Sequence, residues 1–173
     1  MKTPQNKPET RKTPNKPHSE ALGDRFWEKK PLAEMNEAEW EALCDGCGAC
    51  CLIQLEDEDT GERVFTKVAC TLLDIGTCKC KDYENRFEKV PGCSKVTLDL
   101  LKTADWLPPT CAYRRLYDGK PLYWWHPLIS GDPATVKEAG VSIKGWARSE
   151  DNVHPDEIEE KYLAPNLFKR FEG

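Results

Sequence analysis

Large apolar side chains along this chain come in short bursts separated by polar turns, so the pattern predicts many brief elements and no long one. Residues 1–22 hold almost none and are rich in Lys, Pro, Thr, Asn and Gln, the composition of a disordered basic tail. Order is expected to begin near Arg25-Phe26-Trp27. Asn36-Glu-Ala-Glu39 has the form of a helix N-cap with an acid three positions on, and Trp40 and Leu43 share one face of the helix that follows. That helix delivers Cys44 and breaks at Gly46. Alternation predicts strands over 51–56 and 62–69, joined at the turn Asp57-Glu-Asp-Thr-Gly61.

Further on, short helices are expected over 97–103 and 109–117, the second opened by Pro108-Pro109 and closed at Gly119. Another is expected over 133–140, then a strand over 141–147 and a final helix over 155–163 with acids near its start. The fold class is α+β: a small, cysteine-rich, metal-stabilised single domain with short helices, a β-hairpin and much irregular structure. The expected division is a tail over 1–22, the domain over 23–165 and a C-terminal tail over 166–173.

Composition narrows the function. The chain has 173 residues, 39% of them hydrophobic and 32% charged, so its core is modest; six tryptophans partly offset the thin aliphatic content. A net charge of -5 argues against a nucleic-acid partner. No apolar run approaches the length that spans a bilayer, and no secretory signal opens the chain. The expected location is therefore the cytoplasm, a reducing compartment.

Reducing surroundings change the meaning of the nine cysteines, which are then ligands or catalysts more readily than disulfides. Four fall within eight positions: Cys44-Asp-Gly-Cys47-Gly-Ala-Cys50-Cys51. Two intervening residues let successive thiolates reach one ion or cluster from a tight turn. Cys70, Cys78, Cys80, Cys93 and Cys111 complete the candidate metal ligands. Two geometries compete. In one, Cys44, Cys47 and Cys50 or Cys51 hold an iron–sulfur cluster with a distant cysteine. In the other, Cys44 and Cys47 pair with Cys78 and Cys80 around Zn2+. A triplet leans towards iron, because zinc sites commonly come as two separated pairs, although thiolates suit both. Nine thiols suffice for two four-cysteine sites with one left over. Adjacent side chains point apart in extended backbone, which leaves Cys51 for a second site or as a resolving or spare thiol. His126 is the candidate non-cysteine ligand, against the commoner role of a hydrogen-bonded, partly buried histidine. His154 is expected to be exposed, and His18 lies in the tail.

The cysteine run resembles the signature of the bacterial cysteine-cluster proteins of the YkgJ type, and more closely their YcgN branch. The likeness extends over about 25–150 through Phe26-Trp27, Glu39-Trp-Glu-Ala-Leu-Cys-Asp-Gly-Cys47, Asp59-Thr-Gly-Glu62, Val68-Ala-Cys70, Leu73, Thr77-Cys-Lys-Cys80, Asp82-Tyr-Glu-Asn-Arg86, Pro91 and Cys93, Trp106-Leu-Pro108, Thr110-Cys-Ala-Tyr-Arg114 and Trp125-His-Pro-Leu128. The resemblance implies chelation of zinc or iron and leaves the cellular role open.

Two other classes of function stay in view. A thiol–disulfide redox protein would use Cys44 with Cys47, or Cys50 with Cys51, but the sequence offers no βαβ setting for one. A partner-binding module would present Asp82 to Arg86, Tyr123 to His126, or Arg114 and Arg115 to a protein not identified from sequence. No residue stands out as substrate-binding group, base or nucleophile, so whether the protein is an enzyme is left open.

Overall fold

The computed structural model describes residues 22–171, and the tail expected over 1–22 lies outside them apart from Leu22. The elements are brief, as the patterning predicts. Helix α1 is Phe26–Lys29 and α2 is Glu37–Ala42; β1 is Leu52–Glu56, β2 Arg63–Ala69, β3 Leu73–Asp74 and β4 Lys79–Cys80. Then come α3 (Arg86–Lys89), α4 (Leu98–Leu101), α5 (Ala112–Tyr117), α6 (Pro127–Ser130), α7 (Ala134–Glu138), β5 (Arg148–Ser149) and α8 (Glu157–Tyr162). The α+β class holds.

Strands β1 and β2 form the antiparallel hairpin, with Glu56 opposite Arg63 and Leu52 opposite Ala69. The register shifts between Leu52 and Gln54. Thr66, fully buried, services that irregularity: its hydroxyl donates to the Ile53 carbonyl at 2.8 Å and accepts from the Val68 amide at 3.1 Å. Backbone groups freed by a bulge must find other partners, and a threonine supplies one. Strand β5 adds to β2 in parallel, Val68 opposite Arg148, and β3 and β4 form a separate two-stranded ladder with Leu73 opposite Cys80.

Asn36 caps α2 as predicted. Its side chain accepts from the Glu39 amide and the Glu39 carboxylate accepts from the Asn36 amide, both at 2.9 Å. Two expectations are corrected. The helix read over 109–117 begins only at Ala112, because Pro108 to Cys111 form a turn in which the Cys111 amide donates to the Pro108 carbonyl at 2.9 Å, and Cys111 then caps the helix with φ -61° and ψ 123°. The segment 141–147 is not a strand: Val141 and Ile143 are buried, but Gly145 turns the backbone at φ 93° and both Trp146 and Ala147 donate back to the Ile143 carbonyl.

Apolar residues gather in two cores. One packs Ala49, Leu52, Ala69, Leu73, Trp125, Val141, Ile143 and Phe168 behind the hairpin. The other packs Phe26, Trp27, Leu43, Leu101, Leu107 and Tyr113 around α1, α2 and α5. Of the stretch read as a C-terminal tail, Leu167, Phe168 and Phe171 pack on the first core: Phe168 is 3% exposed and lies edge-on to Phe65, and Phe171 meets Trp125 at 5.3 Å. Among the described residues no helix is long and apolar enough to cross a membrane.

Candidate metal centre

The loop that follows α2 carries the first candidate ligands between the two cores. Leu43 anchors its start in the second core and Ala49 its end in the first; both are fully buried. Between them the Asp45 carboxylate accepts from the Cys47 amide at 3.0 Å, and Gly46 and Gly48 take the left-handed conformation at φ 69° and 77°. Glycine is required at 48 on a second count. A Cβ there would stand 2.8 Å from Ile143 Cγ1, while the Ile143 amide donates to the Cys47 carbonyl at 2.9 Å. The 141–147 segment thus braces the cysteine loop.

Beside this loop lies a cavity of about 210 Å3, lined by Cys44, Cys47, Cys50, Cys51, Cys70, Cys80, Cys93 and Cys111. Eight of the nine cysteines therefore face one space, delivered by five separate parts of the chain. Cys70 follows β2, and its amide donates to the Cys51 carbonyl at 2.9 Å, so the end of the hairpin holds that pair together. Cys80 comes from β4, Cys93 from the turn after α3 and Cys111 from the cap of α5. All nine thiols are free.

Cys78 faces elsewhere. Its sulfur lies 3.6 Å from the Ser142 hydroxyl, and its backbone is left-handed at φ 57°. The two-pair zinc geometry read from the sequence thus has three of its members, Cys44, Cys47 and Cys80, on the cavity and the fourth outside it. His126 does not serve as a ligand in this arrangement. It is 2% exposed, Nε2 lies 2.9 Å from the Leu43 carbonyl, and Nδ1 accepts from the Leu128 amide at 3.1 Å. A carbonyl only accepts and an amide only donates, so the ring is neutral with its proton on Nε2 and no lone pair to spare. Burial holds its pKa below the usual histidine value. His154 is exposed, as expected.

The surroundings of the cavity hold most of its thiols in the neutral form. Burial pushes the Cys44 thiol up to about 12 and raises Cys47 well above the ordinary value. Cys44 and Cys50 also carry accessible surface. Cys50 is raised first by its neighbour Cys51 and then by burial, and Cys70 and Cys111 are raised by burial. Cys51 moves down, through the Cys50 thiol that donates to it and, more weakly, the charge of Arg86. Thiols in a poorly solvated pocket ionise only when something positive replaces the lost water.

Trp40, Tyr83 and Tyr113 form much of the remaining wall, and the Tyr113 hydroxyl donates to the Trp40 carbonyl at 2.9 Å. The tight turn Asp82 to Arg86, where Asp82 accepts from the Asn85 amide and side chain, places Arg86 on the cavity. The sequence places Arg86 in a candidate recognition surface and among arginines that could bind phosphate or carboxylate; its place beside the cysteines has no local signal.

As a donor set, eight thiols fit soft, thiolate-binding metals, zinc and iron alike. Among the described residues, no three His, Cys, Asp or Glu side chains converge closely enough to hold a single ion. The sulfurs surround the space without meeting at a point.

A cysteine-lined chelating domain is the class this site defines, and the comparisons agree. Residues 43–112 match the CxxCxxCC family, described as a "putative zinc- or iron-chelating domain". A UPF0260 protein of Nitrobacter hamburgensis is 55% identical over 139 residues, which cover 80% of this chain and 81% of that protein. One of Rhizorhabdus wittichii is 60% identical over 130 residues, 75% of this chain and 89% of the relative. One of Allorhizobium ampelinum is 55% identical over 135 residues, 78% and 85%. The chain belongs to the UPF0260 family of cysteine-cluster proteins. No solved structure matches it.

Proposed function

We propose that this protein chelates metal in the eight-cysteine cavity and that its cargo is an iron–sulfur cluster. The observation that carries the reading is the gathering of Cys44, Cys47, Cys50, Cys51, Cys70, Cys80, Cys93 and Cys111 on one space of about 210 Å3. Four sulfurs around a single zinc ion stand about 3.8 Å apart, from a Zn–S distance of about 2.3 Å. A cluster holds its ligands further apart, at the corners of a multi-atom core. A cavity this size, ringed by thiols, has room for the wider arrangement. Eight sulfurs are also twice what one tetrahedral ion or one four-cysteine cluster takes, which gives room for two sites. Cys44, Cys47 and Cys50 on one loop with Cys111 would form one set. Cys51 and Cys70, joined through their backbones, would form the other with Cys80 and Cys93.

A redox, maturation or sensing role follows from such a cargo. Thiol–disulfide exchange has less support. It needs a thiolate at neutral pH; Cys44 and Cys47 are both pushed the other way, and in the Cys50–Cys51 pair only Cys51 moves down.

The deciding experiment is a visible spectrum of anaerobically purified protein, with iron, sulfide and zinc measured per chain. Broad visible absorbance with iron and sulfide in matching amounts is the expected outcome. A colourless protein carrying stoichiometric zinc would replace the cluster with zinc and keep the chelation reading; absence of both metals would sink it.

A further inference from the structure

Arg86 is 6% exposed, and it lines the same cavity as the eight cysteines. Its guanidinium lies 3.6 Å above the Tyr83 ring and 4.2 Å from that of Phe87, and its Nη1 donates to the Tyr83 carbonyl. Among the described residues no carboxylate pairs with it. A buried cation without a counter-charge is costly. Of the other charged side chains on the cavity, Asp45 accepts from the Cys47 amide and forms no ion pair with Arg86, Glu41 is exposed, and Lys95, also exposed, carries the same sign as Arg86. Arg86 shares this pocket with the eight sulfurs.

We propose that Arg86 is the built-in counter-charge of the metal-loaded cavity, offsetting the negative charge that the thiolates leave over after they have bound their cation. Four thiolates on a divalent ion carry a net charge of -2, and a thiolate-ligated iron–sulfur cluster is likewise an anion. In a pocket walled by Trp40, Tyr83, Tyr113 and Val96, that excess is poorly solvated. An arginine guanidinium is a permanent cation, and this one is held by two rings and the Tyr83 carbonyl, so its position is set before metal arrives. It acts on the ligands and the cargo through charge and touches neither as a ligand, which makes it a positioning residue. The inference rests on the chelation reading.

The test compares wild type with R86Q, R86K and K102Q, each titrated anaerobically with Zn2+ in competition with a chromophoric chelator. R86Q is expected to bind about 10–100-fold more weakly, the usual loss when a group supporting metal ligands is removed. R86K should recover most of that loss, and K102Q, which removes one positive charge from an exposed side chain away from the cavity, should bind as wild type does. In iron-loaded protein, R86Q should also lower the reduction potential, because the added electron loses a nearby positive charge. Wild-type affinity in R86Q, or K102Q as weak as R86Q, would overturn the proposal and leave chelation standing. If R86Q does not fold, R86K decides: affinity near wild type supports the charge role, and a full loss removes it. Wild-type protein that binds neither zinc nor iron would overturn chelation and the role of Arg86 together.

Discussion

Gly48 and Ile143, 95 positions apart, touch so closely that no other residue fits at 48: a Cβ would lie 2.8 Å from one Ile143 side-chain carbon and 3.0 Å from another. The contact locks the cysteine loop against the segment that braces it. G48A meets two penalties, about 1–2 kcal/mol for a left-handed alanine and about 1–3 kcal/mol for overpacking. The expected result is a loss of roughly 2–5 kcal/mol in urea unfolding, with metal content reduced in parallel. Wild-type stability in G48A would mean that the loop is not braced there.

Cys78 and Cys80 differ by two positions and are predicted to differ completely in role. C80S removes a sulfur from the cavity and should lower metal bound per chain, as should C70S, C93S and C111S. C78S should leave the metal content unchanged, since its sulfur is beside Ser142. Elemental analysis of the five proteins, purified side by side, reads this out directly.

Metal binding should tighten as pH rises. In the metal-free cavity, burial leaves Cys44, raised to about 12, protonated at neutral pH, and Cys47 behaves alike. Binding must therefore expel protons, and acid competes with the metal for sulfur. Chelator-competition titrations at several pH values should show affinity falling at each step down. The same linkage makes metal a source of folding free energy, so stripping it should lower the unfolding midpoint of the whole domain. An affinity indifferent to pH would contradict thiol ligation.

His126 should make the protein sensitive to mild acid. Burial lowers its pKa in the fold, so below an unfolded value of about 6.5 the unfolded chain takes up a proton that the native ring refuses. The unfolded state then binds more protons, and stability rises with pH and falls as pH drops below that point. H126Q should flatten this part of the stability–pH curve. It should also cost about 1–3 kcal/mol at neutral pH if the Leu43 carbonyl loses its donor. Chemical denaturation between pH 5 and 8 tests both.

N36A removes the cap of α2, the helix that leads into Cys44. About 1 kcal/mol of stability should be lost, visible as a lower urea midpoint. A neutral result would place the entry to the loop under the control of packing instead, through Trp40 and Leu43.

Much of this was written into local sequence. The alternation either side of Asp57 to Gly61 is enough for the hairpin, and Asn36 with Glu39 is enough for the capped helix, because both depend on residues only a few positions apart. The crowding of Cys44, Cys47, Cys50 and Cys51 likewise pointed to chelation with no structure in hand. Tertiary packing alone decided which distant cysteines join them. Spacing along the chain gave Cys78 the same standing as Cys80 and gave Cys93 and Cys111 no special one; the cavity takes the last three and leaves Cys78 out. The same holds for His126, drawn away by the Leu43 carbonyl, for 141–147, whose apolar residues fill a core where the pattern suggested a strand, and for Arg86. Each depends on how two separate cores close around one loop, and short-range pattern carries no record of which surfaces will meet across that gap.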